Sequence, residues 1–131
     1  MKKTSAKMKI YTTLFVFGTS IYYLLEMIYS GSAHPSTALC GGVSLPFIYF
    51  INSKFSEVSI VKKGIICSIF ITSCELLCGF FVNIIYKLNV WDYSSYSWNF
   101  LGQICFAYSA VWFVLSLACL YLCRLLKKTL E

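Results

Sequence analysis

"GIICSIFITSCELLCGFFVNIIY", residues 64–86, carries a single charge, Glu75, along its whole length. A helix needs about 20 predominantly apolar residues to cross the hydrocarbon of a bilayer. This run is long enough. Two others read the same way: Glu26 is the one charge between Ile10 and Tyr29, and none lies between Phe100 and Cys123. Of the 131 residues, 59% are hydrophobic and 12% charged, whereas soluble domains carry about 25% charged residues. Too little charge remains to cover a water-soluble surface, so the three runs are read as membrane spans.

A fourth candidate, "STALCGGVSLPFIYFINSKF" at 36–55, contains Gly41, Gly42 and Pro46. It admits a kinked span, because neighbours in a membrane can satisfy backbone groups freed by Pro and Gly. It also admits a re-entrant segment, since its most apolar core is short. The basic residues arbitrate. Four spans put Lys2, Lys3, Lys7, Lys9, Lys54, Lys62, Lys63, Arg124, Lys127 and Lys128 on one side and leave only Lys87 on the other. Basic loops face the cytoplasm, and three spans would strand the C-terminal trio outside. The expectation is an all-α integral membrane protein in the cytoplasmic membrane, with 1–131 a single domain. Four transmembrane helices form one compact bundle, at 10–29, 36–55, 64–86 and 100–123, the second short or kinked. Outer loops fall at 30–35 and 87–99, the inner loop at 56–63, and both termini are cytoplasmic. The net charge of +6 then orients the chain at an anionic leaflet, and the partner it implies is the lipid bilayer, not nucleic acid. "SGSA" at 30–33 loosely resembles a signal-peptide cleavage site. The length of the preceding run, with Tyr22, Tyr23 and Glu26 in it, argues against cleavage.

Seven cysteines raise the question of disulfides or metal, yet none forms Cys-x-x-Cys. Cys67, Cys74, Cys78, Cys105, Cys119 and Cys123 lie inside apolar runs and Cys40 begins the weaker one, so they read as small core residues. No metal or cofactor is expected.

Polar residues recur at helical spacing in the opening run: Ser68, Thr72, Glu75, Gly79, Asn83 and Tyr86 share one side. Thr19, Tyr22 or Tyr23, Glu26 and Ser30 do the same in the first span, with Glu26 near its outer end. The last span offers small residues instead, Gly102, Cys105, Ser109, Ser116, Cys119 and Cys123, which let helices approach closely. A carboxylate facing lipid costs several kcal/mol, so Glu26 and Glu75 should face the bundle interior or a wet cavity. There each is either an ion or substrate site or an interhelical hydrogen-bonding group. "LLEMIY" (24–29) also echoes "FVNIIY" (81–86), which places Glu26 at the depth of Asn83.

Before the last span stands "NVWDYSSYSWNFLGQICF", residues 89–106. Trp91, Tyr93, Tyr96 and Trp98 suit the headgroup level. Asp92 is placed to cap or brace the loop, through Lys87, and Asn99 to cap the fourth helix. Trp91-Asp92-Tyr93-Ser94, then Asn99, then Gly102-Gln103-Ile104-Cys105 resemble the signature of a family of small bacterial membrane proteins named as ABC-transporter permeases, type IV (CmpB-like). Upstream, Thr72, Glu75 and Gly79 match its T-x-x-E-x-x-x-G, Glu26 matches an acid of its first span, and His34 with Ser36 is similar to its "SHWS"-like loop. Ser97, Ser95 and Pro35 depart from residues common in that family, Pro, an acid and Trp respectively.

The resemblance implies a transport-associated protein. The chain has no GxxxxGK[ST] phosphate loop, so ATP hydrolysis would belong to a partner. Four spans are few for a permease, which implies a homo-oligomer or further membrane subunits, with an ATPase among the candidates. The leading expectation is a small permease or permease subunit whose polar path or ion site draws on Glu26, Glu75, Asn83, Asp92, Asn99 and Gln103. The alternative is a non-transporting scaffold or regulatory subunit. A membrane enzyme using His34, Asp92 and Glu26 is disfavoured, since no nucleophile-and-base spacing accompanies them.

Overall fold

A computed structural model describes residues 2–130, so the extreme ends of the 1–131 domain lie outside the described residues. The chain is all-helical apart from one very short strand pair. Among the described residues there are four α-helices: α1 (Lys2–Ser30), α2 (Pro35–Lys54), α3 (Ile60–Gly79), which runs on into a π-helical segment Phe80–Ile85, and α4 (Phe106–Leu130). Two strands, β1 (Asn99–Phe100) and β2 (Ile104–Cys105), pair antiparallel just before α4. The chain divides into two compact units, Met1–Phe47 and Ile48–Glu131, the boundary falling inside α2 next to Pro46.

In the first unit, α1 ends where Gly31 takes φ +78° and its N–H bonds the Met27 carbonyl at 2.9 Å. Glycine adopts that left-handed turn without a Cβ clash. α2 opens on Pro35, which has no amide to leave unpaired in a first turn. His34 caps it: the ring Nδ1 accepts the Ser36 N–H at 3.2 Å and the carbonyl accepts that of Ala38. α2 then runs helical through Pro46 for 20 residues, a length of about 30 Å. The two helices meet through glycine. A Cβ on Gly18 would lie 2.6 Å from the Gly41 carbonyl oxygen, and one on Gly41 would lie 2.5 Å from Tyr22 Cβ.

In the second unit, Ser59 caps α3 with its hydroxyl accepting from the Lys62 N–H at 3.4 Å. α3 and α4 pack along a seam of small residues. Gly64 admits Phe113 and Leu117, and Cys67, Ser116, Leu120 and Cys123 are fully buried. Ser68 donates to the Ser109 carbonyl at 2.8 Å, and the Thr72 and Ser109 hydroxyls share a bond of 2.9 Å. The Ser68, Thr72, Glu75 and Gly79 side of α3 therefore faces this seam, while Tyr86, at the end of the same sequence stripe, is exposed. Lys63, counted among the loop cations, is instead only 1% exposed, and its ammonium donates to the Asn52 carbonyl and side-chain oxygens at 3.4 and 3.3 Å.

Among the described residues, two helices are long and apolar enough to cross a membrane: α3 with its π segment (Ile60–Ile85) and α4 over Phe106–Leu126. α1 and α2 are long enough but less apolar. The last helix begins later than the sequence indicates. Residues 100–105 enter the strand pair, because Leu101 at φ +57° and Gly102 at φ +72° reverse the chain between β1 and β2.

Candidate functional site

One turn of helix separates Glu75 from Gly79 on the buried face of α3, and the loop from Leu88 to Cys105 folds back onto that face. Glu75 is buried. Its Oε2 accepts the Tyr93 hydroxyl at 2.9 Å, and Oε1 lies 3.4 Å from the indole nitrogen of Trp112 on α4. Tyr93 is fixed by stacking on Tyr108, with ring centroids 4.7 Å apart, and Tyr96 meets both rings edge-on. A buried carboxylate is thus ringed by aromatic groups that offer it hydrogen-bond donors.

Gly79 makes the landing place. A Cβ there would run into the side-chain oxygen of Gln103, and would stand 3.0 Å from the Trp91 ring and 3.1 Å from Gln103 Cβ. Trp91 Nε1 donates to the Gln103 carbonyl at 3.0 Å. The π-helical turn aims Asn83 into the loop. Its Nδ2 donates to Gln103 Oε1 and its Oδ1 accepts the Val90 N–H, both at 2.7 Å. Single π turns of this kind occur often at functional positions.

The rest of the motif shapes the loop itself. Asp92 Oδ1 accepts both the N–H and the hydroxyl of Ser94. Those bonds hold the Asp92 carboxyl below its ordinary value. The brace is therefore Ser94, in place of the Lys87 expected from the sequence. Asn99 likewise does not cap α4. Its Oδ1 accepts the Gly102 N–H at 3.0 Å and its Nδ2 donates to the Tyr96 carbonyl at 2.9 Å, bridging the turn. The physical reason is the strand pair, which moves the start of α4 to Phe106. Gly102 has no room for a side chain, since a Cβ would meet Ser94 Oγ at 2.7 Å and Asp92 Oδ1 at 2.9 Å.

Five of the candidate residues, Glu75, Asn83, Asp92, Asn99 and Gln103, thus belong to one helix-and-loop assembly, with Glu75 and Gln103 buried and Asp92 and Asn99 exposed. Glu26 lies in the first unit, half-buried. Its Oε2 is 2.7 Å from the Thr37 hydroxyl, which also reaches the His34 carbonyl at 2.8 Å. Sequence reasoning missed Tyr108 and Trp112 as neighbours of the acid. Their spacing of four residues, astride Ser109 on α4, was the available signal. It also missed the Lys63–Asn52 pair, which joins residues of different helices and leaves no local trace.

No curated protein and no solved structure matches the chain. A family model described as "Putative ABC-transporter type IV" matches residues 13–130. The match takes in both the acid-and-glycine face of α3 and the loop that docks on it. An ABC-transporter-related family and two apolar helices together point to a membrane setting. Nearly the whole described chain is covered, and the chain belongs to this ABC-transporter type IV family.

Proposed function

We infer that the chain is a small multi-pass permease, or the membrane subunit of one, and not an enzyme. Glu75 supplies its proton or cation site. The observation that carries the reading is a carboxylate buried between two apolar helices with Tyr93 of the folded loop bonded to it. A membrane-embedded acid is costly and is usually retained for a role in transport or proton transfer. Asn83 and Gln103 line the path beside Glu75, Asp92 and Asn99 stand at its mouth, and Glu26, in the first unit, is the chain's second membrane acid. Four spans, with both termini in the cytoplasm, keep ten of the 11 basic residues on one side. Transport then requires further copies or membrane subunits, and an ATPase partner supplies energy where ATP drives it.

The test is flux. Purified chain in proteoliposomes carrying a proton or monovalent-cation gradient is compared with Glu75→Gln, whose side chain keeps the shape and loses the charge. Loss of flux with folding retained supports the reading. Unchanged flux, with the variant reduced only in abundance or assembly, assigns the acid to scaffolding instead.

A further inference from the structure

The strand pair before α4 is turned inside out for water. Trp98 is 84% exposed, Leu101 60% and Phe106 69%, and Phe100 is exposed beside them. The amides between them are bonded within the loop. Asn99 spends its side chain on the Tyr96 carbonyl and the Gly102 N–H, and Gln103 is buried against Asn83. A hairpin with one face in water would bury the aromatic side and expose the amides. This orientation is held against backbone strain, for Trp98 has φ +60° and Leu101 φ +57°. Bulky residues pay about 1–2 kcal/mol each in that region.

Three observations say what covers the patch. No charged residue occurs from Tyr93 to Cys123, and the one charge beside the tip, Asp92 next to Gly102, has its Oδ1 taken up by the Ser94 N–H and hydroxyl. The tip leads directly into Phe106, where the apolar stretch of α4 begins, and its inner side docks through Gly79 at the end of α3. The π-helical turn that follows Gly79 also exposes Phe80, Phe81, Ile84 and Ile85. Trp98 and Phe106 stand side by side with centroids 6.1 Å apart, an arrangement suited to the headgroup boundary, where indole keeps its N–H in the polar layer.

We propose that Trp98, Phe100, Leu101 and Phe106 form a lipid-seated wedge, inserted at the membrane interface where α3 ends and α4 begins. The bilayer thereby presses the loop onto α3 and keeps Tyr93 on Glu75. This rests on the membrane placement of α3 and α4 and is independent of whether the chain transports anything.

The full chain, reconstituted in phosphatidylcholine vesicles, is measured by tryptophan fluorescence with lipids brominated at shallow and at deep acyl positions. Trp98→Phe should lose most of the shallow-bromine quenching, because Trp91 and Trp112 are half-buried and their indole nitrogens face Gln103 and Glu75. Leu101→Trp should gain quenching, and it keeps the test decisive if Trp98→Phe folds poorly. Emission from position 98 or 101 that resists bromolipid but yields to aqueous iodide would overturn the wedge. Resistance to both would overturn it too, in favour of a covering protein surface.

Discussion

Gly79 and Asp92 show how much of the assembly hangs on single side chains. Gly79→Ala places a methyl against the Trp91 ring and Gln103, and such overpacking costs about 1–3 kcal/mol. Its expected outcome is a lower melting temperature in detergent and a red-shifted Trp91 emission as the loop lifts. Tyr93→Phe removes the hydroxyl that bonds the buried Glu75. A buried acceptor robbed of its donor costs about 1–3 kcal/mol, so this variant should also melt earlier, with the aromatic stack on Tyr108 intact. Asp92 adds a pH dependence whose sign is fixed by its bonds to Ser94. A carboxyl lowered in the folded state stabilises at neutral pH, and its contribution is lost only as pH falls through the lowered value. Trp91 emission should therefore hold steady through mildly acidic pH and shift only in acid below the ordinary carboxyl range. Asp92→Ala should remove that acid step, and a step nearer neutrality would point to a different group.

At the level of elements, Asn83 is the joint between the π-helical turn and the loop. Asn83→Ala removes the acceptor of the Val90 N–H and the donor to the Gln103 side-chain oxygen. Hydrogen exchange at Val90 should speed up well before the α3–α4 seam opens, because the seam packs through Gly64, Cys67 and Ser116 and does not use Asn83. The sequence announces some elements and conceals others. Ser59 caps α3 and Gly31 closes α1 by local chemistry, a signal that the reading of 56–63 as a loop and 64–86 as a span did not use. Thr72, Glu75 and Gly79 could be placed on one face because their spacing is helical. The strand pair could not be read. Its outward residues are as apolar as those of a membrane helix, so "NFLGQIC" looks like the first turns of α4. The partners of Glu75 on α4 and the burial of Lys63 depend on contacts between helices, which periodicity does not encode.

At the scale of the molecule, charge argues which loops share a side of the membrane. Lys54 and Lys62 flank the short link between α2 and α3, while the long loop after the π-helical turn has Lys87 and Asp92 as its charges. Cytoplasmic loops gather Lys and Arg near helix ends, which predicts the short link inside and the loop that docks on Glu75 outside. None of the seven native cysteines is exposed, whereas Ser56 and Ser95 both are, which makes introduced thiols there readable against a quiet background. A membrane-impermeant maleimide on intact cells should label Ser95→Cys and should reach Ser56→Cys only after permeabilisation. The reverse pattern would place the Tyr93 closure in the cytoplasm, where the acid would face an ATPase partner in place of the outer medium. Labelling of both from outside would remove α3 as a span and, with it, the physical ground for reading Glu75 as a membrane acid.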